Sequence, residues 1–482
     1  MSLADYYVGI DLGTTNCVVS YIDSRLVNQE DTAVNSSLLA IPQCMADGSV
    51  RSFNHLPSSL YILANDEQDK LQMHLPWAQK TPRFVIGHGA LQLGQKRSAQ
   101  LVQSVKSWLS YRQVDRRAAI LPWGVDTERK MSPFDATVAI IEHLKLSWDA
   151  QFPAAPLSQQ KVALTLPASF DEEARGLTLE AANHAGLPHL YLLEEPQAAC
   201  YSWISDPQNA TQLVDKKMLL VVDIGGGTSD FSLVAIKSLT ASTPAGNKTP
   251  SNHSPDSKLH LTRIAVGNHL LLGGDNLDQA LAFQLDPKQI SALSATRLAA
   301  LVQQTRQAKE TLLGDNAPES LHITLLGGGS KLIGGAQKFT VEKAPLLQQI
   351  DEGFFPLVEF DCTLNQPNYG MQAVNLPYEK DPAIHRHLAT FLATHKADIE
   401  SICGSAVPDA VLFNGGLFNS PRLKQRMLEQ LAHWRGDSVF ECQNIEPNAA
   451  VAQGAAVYVY GLDHPSLRIE SGAAHSLYLE MA

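Results

Sequence analysis

Cysteine is scarce and scattered, six residues at positions 17, 44, 200, 362, 403 and 442 of 482. None falls in a C-x-x-C pair or at zinc-ligand spacing from a histidine. A disulfide framework and a structural zinc site are therefore not expected, and the thiols read as those of a reduced, cytoplasmic protein. No apolar run approaches the roughly 20 residues of a membrane span. The N-terminus carries Asp5 and Asp11 where a secretory signal needs a basic and then an apolar stretch. Clustered positive charge is missing too. Lys and Arg number 37 against 49 Asp and Glu, a formal net charge of −12, and basic residues meet only in short pairs such as Lys96-Arg97. Nucleic acid and membrane partners, which are gripped by clustered Lys and Arg, are not expected. A phosphate ligand stays compatible with this charge, because backbone amides and a metal ion hold phosphate without a basic surface. Neither a Walker A loop nor a G-x-G-x-x-G after a strand occurs.

What is present is a globular composition, 44% apolar and 18% charged, over a length that suggests about three domains. Leu101, Val105, Trp108 and Leu109 recur at helical spacing and predict a helix from Gln95 to Tyr111; a second is predicted over Pro133–Trp148. A strand at Lys161–Leu166 leads to Ser169-x-x-Glu172, read as the capping box of a helix ended by Gly186. The next strand, Leu190–Leu193, stops at Glu194-Glu195-Pro196. Strand, helix, strand at this spacing means an α/β sheet with crossover helices. Residues 28 to 80 read as loops and short strands, 238 to 258 as a surface loop, and the Gly-rich start of 325 to 382 as a plain loop or hairpin. An amphipathic helix ends at Gly314, and Ser420 with Pro421 starts another that runs to Trp434. The run "EPNAAVAQGAAVYVYG" predicts a last helix with small residues on every face, buried between other elements. His385, His387 and His395 share one helical stretch without Cys or carboxylate partners, and solvated side chains are expected there rather than ligands.

Two stretches far apart in the chain resemble one another, "YVGIDLGTTNCVVSYI" and "LLVVDIGGGTSDFSLV". In each, a Val/Ile-rich strand ends at a carboxylate, Asp11 or Asp223, and continues into Gly and Thr. Glycine lets the chain turn tightly and approach a ligand closely. Successive N–H groups in such a turn form an anion nest, and the Thr hydroxyls add donors. The carboxylate fits beside phosphate once a hydrated Mg²⁺ stands between them. One copy is a weak signal; two copies facing each other would clamp a phosphate chain.

With these residues in view, the sequence resembles the actin-like ATPase superfamily, and within it the DnaK-type (heat shock protein 70) chaperones. "VGIDLGTTN" and "VVDIGGGTSDFSL" resemble the two phosphate loops, "LPASFDEEAR" a coupling segment, and "LLEEPQAACYSW" the connecting block. "VGNHLLLGGDNLD", "RQAKETL", "VLFNGGLFNSPRLKQRM" and "EPNAAVAQGAAV" follow in the family's order. The resemblance implies a two-lobed actin-like ATPase fold, a duplicated ribonuclease-H-like α/β unit with a central nucleotide cleft. It implies lobe I over 1–212, lobe II over 213–440, a closing helix at 441–462 and a tail at 463–482 that begins a further domain. By the same resemblance, Asp11, Glu195, Asp223 and Asp230 are catalytic, with Asp11 and Asp223 holding Mg²⁺ through water. Phosphate and nucleotide contacts fall to Gly13, Thr14, Thr15, Asn16, Gly225, Gly226, Gly227, Thr228, Gly273, Gly274 and Asp275. Lys309, Gly415, Gly416 and Asn419 fall on adenosine contacts, and Pro167 and Arg175 on the coupling residues. ATP or ADP and Mg²⁺ are the implied ligands, and the implied partners of a monomer are a peptide-binding domain or a co-chaperone.

Some positions depart from the family pattern. Leu91 stands where the catalytic Lys is usual, with Lys96 the nearest basic residue, and slow hydrolysis is expected if the developing phosphate charge lacks that cation. Arg306 and Leu313 replace a usual Glu and Ser, and Asn419 a usual Arg, so nucleotide affinity and base preference are expected to differ. About twenty residues follow Gly461, too few for the family's peptide-binding domain. Two other readings stay open. The run from Glu194 to Thr228 is similar to the bacterial actin MreB, a filament former, and sugar kinases share the superfamily.

Overall fold

In the computed structural model the described residues are 4–27, 34–68, 74–78, 83–127, 129–239, 258–314, 316–325, 336–365, 378–444 and 446–464. The tail from 465 onward, the centre of the Ser/Pro-rich loop (240–257) and the Gly-rich segment 326–335 lie outside them.

Two mixed sheets organise the chain, and they repeat each other. In the first, β1 (Tyr6–Leu12) and β2 (Asn16–Asp23) form an antiparallel hairpin, β3 (Lys161–Leu166) lies parallel to β1, and β4 (Tyr191–Glu194) lies parallel to β3. Residues Ser37–Leu38 pair antiparallel to β2 on the far side. In the second, β5 (Met218–Ile224) and β6 (Ser229–Leu239) form the hairpin, and β7 (Lys258–Val266) lies antiparallel beside β6. β8 (Ala410–Asn414) runs parallel to β5, and β9 (Phe440–Cys442) parallel to β8. Strand order and sense therefore match position by position: β4-β3-β1-β2-(37–38) against β9-β8-β5-β6-β7. This is the duplicated α/β unit of the two-lobed actin-like ATPase fold.

Alternation along each strand builds the layers. In lobe I, Val8 and Ile10 face a core holding Trp148, while Tyr7 faces the opposite core with Ala456 and Tyr460. Helices fill both sides. α1 (His88–Lys96) and α2 (Val105–Ser110) lead to α3 (Pro133–Gln151), which begins with Ser132 accepting from Asp135 N–H and Pro133 in the first turn. α4 (Glu172–His184) and α5 (Glu195–Ile204) follow, then, in lobe II, α6 (Gly274–Leu285), α7 (Ala295–Leu313), α8 (Ile384–Thr394) and α9 (Pro421–Arg435).

The last helix, α10 (Ala450–Gly461), packs between β1 and α5, as its small residues predict. A Cβ on Gly9 would overlap the α10 backbone at Ala452 O and Ala456 N, and one on Gly454 would overlap Ala198 O of α5. α5 in turn packs Ala199, Cys200 and Trp203 against Leu219, Val221 and Leu412 of the second sheet. The two helices thus sit between the lobes.

Three expectations change. The helix from Gln95 to Tyr111 is broken: α1 ends at Lys96, Leu101–Val102 pairs as a strand with Leu60 and Tyr61, and α2 starts only after Ser104, whose φ is 53°. Tertiary strand pairing overrides the helical spacing of Leu101. The cap of α4 is Asp171, whose Oδ1 accepts from Ala174 N–H at 2.7 Å, and Ser169 points elsewhere. His385 and His387 are buried, not solvated; Nδ1 of His385 lies 2.8 Å from Pro356 O and Nε2 of His387 2.8 Å from Asp381 O. Burial pushes the His385 imidazole down to about 4.

Candidate functional site

Each hairpin delivers one carboxylate to the same place. β1 and β5 share a burial pattern in which every residue is buried except Asp11 and Asp223, each one residue from the strand's end. The turns that follow face one another. A Cβ on Gly226 would overlap Thr15 Oγ1, and one on Gly227 would stand 3.0 Å from the Thr14 methyl. The first turn is fixed by Ser58, whose N–H donates to Thr15 O (2.8 Å) and whose hydroxyl donates to Gly13 O (2.7 Å). The second is closed by Gly225 N–H donating to Thr228 O at 2.9 Å. It is backed by the start of α6, where Gly274 N–H donates to Gly225 O and Asp275 N–H to Gly226 O. Gly273 admits no side chain there, since a Cβ would lie 2.7 Å from both carbonyl oxygens.

Between the turns lies a cavity of about 520 Å³, within the range that holds small-molecule ligands. Asp11, Gly13, Thr14, Thr15 and Asn16 line it from lobe I, with Glu195. Asp223, Gly225, Gly226, Thr228, Gly274, Asp275 and Lys309 line it from lobe II, with Gly415, Gly416 and Asn419. Three of the residues expected there stand behind its wall: Gly227 against Thr14, Gly273 beneath the second turn, and Asp230. Asp230, directly opposite Asp223 across the hairpin, accepts from Ser169 Oγ of lobe I and lies 3.2 Å from His269 Nδ1.

The cavity floor is acidic. Asn414 Nδ2 donates to Asp223 Oδ2 at 2.7 Å, and Thr165 Oγ1 to Asp11 Oδ1 at 3.3 Å. Glu195 opens α5 and accepts from Lys106 Nζ of α2. Burial, then the neighbouring Glu195, pushes the Asp11 carboxyl up to about 7 and the Asp223 carboxyl up to about 8. Burial also raises Glu195, against the pull of Lys106. Burial opposes the charge on Lys106, but Glu195 and Asp11 more than offset it and its pKa is raised. Among these buried groups one ammonium faces several carboxylates. Carboxylates raised by burial and by one another are short of a neutralising cation, and Asp11 with Asp223 suits a divalent ion carried through its waters. Among the described residues no three His, Cys, Asp or Glu side chains converge tightly enough to bind a metal directly.

At the other end of the cavity, α7 presents Arg306 and Lys309. Arg306 pairs with Asp275 and, at 3.0 Å, with Asp278; Lys309 Nζ lies 2.7 Å from Asp278 and donates to Gly274 O at 3.1 Å. Gly415 has a φ of 88°, and a Cβ on it would crowd Asp223 Oδ1 and the Ile224 backbone. Asn419 Nδ2 donates to Asn448 Oδ1 at 3.2 Å.

Pro167 and Arg175, the residues expected to couple the lobes outward, lie close to the end of β3. Phe170 N–H donates to Pro167 O at 3.2 Å, closing the turn after β3. Arg175 donates to Glu194 Oε1 at 2.9 Å, and Glu194 also pairs with Arg263 on β7 of lobe II.

Several site residues escape the sequence reading. Leu91 and Lys96 do not line the cavity; Leu91 O accepts from Gln303 on α7, and the ammonium on the floor belongs to Lys106. Lys106 is hidden in the apolar spacing of "SVKSWL", which marks only a helix face. Asn414 ends β8 opposite Asp223 of β5, a signal visible in "VLFNGG". Ser169 of lobe I meets Asp230 only because the lobes pack together, while His269 reaches Asp230 from within lobe II.

A model of the Hsp70 protein family matches residues 90–243. The chain is similar to a chaperone protein HscA homolog of Variovorax paradoxus (strain S110), 28% identical over 353 residues, covering 70% of this chain and 47% of that one. It is 26% identical to a chaperone protein HscA homolog of Shewanella loihica over 332 residues, 67% of this chain and 44% of that one. A shorter match, 32% over 185 residues, joins 38% of this chain to 26% of a chaperone protein HscA homolog of Acinetobacter baylyi. The chain thus spans about half the length of the first two relatives.

Proposed function

The chain belongs to the Hsp70 family, and from this premise we propose that it binds ATP and ADP with Mg²⁺ between its lobes and hydrolyses ATP weakly. In this reading it is the nucleotide-switched part of a DnaK-like chaperone, a cytoplasmic monomer whose lobe closure is read by a peptide-binding domain or a co-chaperone. Lobe I spans 1–212 and lobe II 213–440, with 441–462 returning to lobe I.

The observation that carries the proposal is the meeting of Thr15 and Gly226, two turns from repeated units, over a floor holding Asp11 and Asp223. Both turns offer N–H groups and Thr hydroxyls to phosphate oxygens. The bound Mg²⁺ would neutralise charge developing on the phosphates. Asp11 and Asp223 hold its waters. Glu195 stands on the cavity floor where a carboxylate can orient water, and Asp230, fixed by Ser169 and His269, supports it from behind the wall. Arg306, Lys309 and Asn419 bound the nucleoside end. Pro167 and Arg175 carry the lobes' relative position outward through Glu194 and Arg263.

Single-turnover hydrolysis tests this. Slow, Mg²⁺-dependent formation of ADP is expected, lost on Asp223→Ala. ADP formation stimulated by sugars, or ATP-dependent sedimentation, would instead support a kinase or a filament.

A further inference from the structure

Each carboxylate of the floor is held from the side by the neighbouring parallel strand. In lobe I, β3 sets Thr165 one place beyond Leu164, the register partner of Ile10, and Thr165 Oγ1 donates to Asp11 Oδ1 at 3.3 Å. In lobe II, β8 sets Asn414 directly opposite Asp223, and Asn414 Nδ2 donates to Asp223 Oδ2 at 2.7 Å. The duplication thus extends to the supports of the two carboxylates, but the supports differ in what they have left over. Thr165 does not line the cavity between the turns, whereas Asn414 does. Asn414 is 3% exposed, and its Oδ1 has no hydrogen-bond partner among the described residues.

A buried amide oxygen without a donor is uncommon and costly. Turning the amide over does not cure it. Once Asp223 is ionised, as a bound cation requires, Oδ1 would face a carboxylate, acceptor against acceptor. The next residue holds the amide in place: Gly415, with a φ of 88°, turns the chain so closely past Asp223 that a Cβ would lie 2.8 Å from its Oδ1. What Asn414 Oδ1 lacks is a donor arriving from the cavity. The phosphates of a nucleotide only accept, and in the reading above its sugar and base lie at the other end, beside α7. The donors that remain for the floor are waters carried by the cation, and a cation makes its waters stronger donors than bulk water.

We infer that Asn414 is a third outer-sphere acceptor for the cation, its side-chain carbonyl taking a hydrogen bond from a metal-bound water beside those taken by Asp11 and Asp223. The inference rests on the nucleotide and Mg²⁺ reading above and deepens it. It makes the metal seat asymmetric, with two acceptors from lobe II and one from lobe I, and it adds an acceptor without adding charge to an already acidic floor. Asn414 is then both the support of Asp223, through Nδ2, and a binding residue in its own right, through Oδ1.

The test is calorimetric titration of ADP into wild type, Asn414→Leu and Asn414→Asp, each with excess Mg²⁺ and with EDTA. The ratio of the two affinities is the metal factor of each protein. Asn414→Leu keeps the shape and loses both polar atoms, so its metal factor should fall about tenfold. Asn414→Asp loses the donor to Asp223 but keeps an oxygen toward the metal waters, so its factor should equal or exceed that of wild type. A residue that only supports Asp223 predicts equal losses in the two variants, because both lack the bond from Nδ2, and that result overturns the proposal. An unchanged factor in Asn414→Leu overturns it too, including the case in which hydrolysis alone falls because Oδ1 holds the attacking water. ADP binding retained in EDTA shows that a variant is folded; if Asn414→Leu fails this check, the smaller Asn414→Ala takes its place with the same expected loss. Wild type whose ADP affinity ignores Mg²⁺ overturns the metal reading itself, so the two failures are told apart.

Discussion

Replacing Asp223 by Asn is expected to stabilise the nucleotide-free protein while abolishing its use of Mg²⁺. The carboxyl is pushed from an ordinary value near 4 up to about 8, by burial first and by Glu195 second. A carboxyl whose folded pKa lies above its unfolded one makes the folded state hold the extra proton. Stability is then greatest below pH 4 and is lost as pH rises toward 8, at on the order of 1 kcal/mol per pH unit. Asn has the same shape, and its carbonyl still accepts from Asn414 Nδ2, the present 2.7 Å partner of Asp223. It carries no charge to desolvate. Urea unfolding followed by tryptophan fluorescence at pH 4, 6 and 8 should therefore show curves that nearly coincide at pH 4. The variant should be ahead by a few kcal/mol at pH 8. ATP titrations of the same variant should lose their Mg²⁺ dependence. A variant less stable than wild type at pH 8, or a gap independent of pH, would refute the account of a cation-poor acidic floor.

Two further substitutions probe the frame around the site. Gly454→Val drives a side chain into the backbone of α5 at Ala198 O and Ser202 N, which cannot yield as a side chain would, so a loss of about 3 kcal/mol or more is expected in urea unfolding. Arg306→Ala leaves Asp278, fully buried, with Lys309 as its remaining cation, and a loss on the order of 3 kcal/mol in thermal unfolding is expected, together with weaker nucleotide binding.

The parts of this molecule legible in its sequence are those encoded locally. Asp-Φ-Gly-x-Thr and Asp-Φ-Gly-Gly-Gly-Thr announce strand, carboxylate and turn within a few residues, and β1–β2 and β5–β6 fold as read. The small-residue helix α10 is legible for the same reason: Gly454 and its alanines state how closely a neighbour must come. What escaped depends on distant partners. Leu101 has helical spacing but pairs with Tyr61 in a strand. Ser169 has the spacing of a cap, yet Asp171 is better placed, and the Ser169 hydroxyl goes to Asp230 some sixty residues on. Lys106 sits in a short helix with nothing local to mark it, and only the packing of α2 against α3 and α4 brings it to Glu195 at the start of α5. His385 and His387 look solvated until the carbonyls of Pro356 and Asp381 are brought to them.

The most direct measurement is isothermal calorimetry of the wild-type chain with ATP, first with excess Mg²⁺ and then with EDTA. Two facing turns over a pair of metal-hungry carboxylates predict saturable one-to-one binding that weakens at least tenfold when the metal is removed. No binding heat in either buffer, or an affinity indifferent to Mg²⁺, would contradict the reading of the cleft between Asp11 and Asp223.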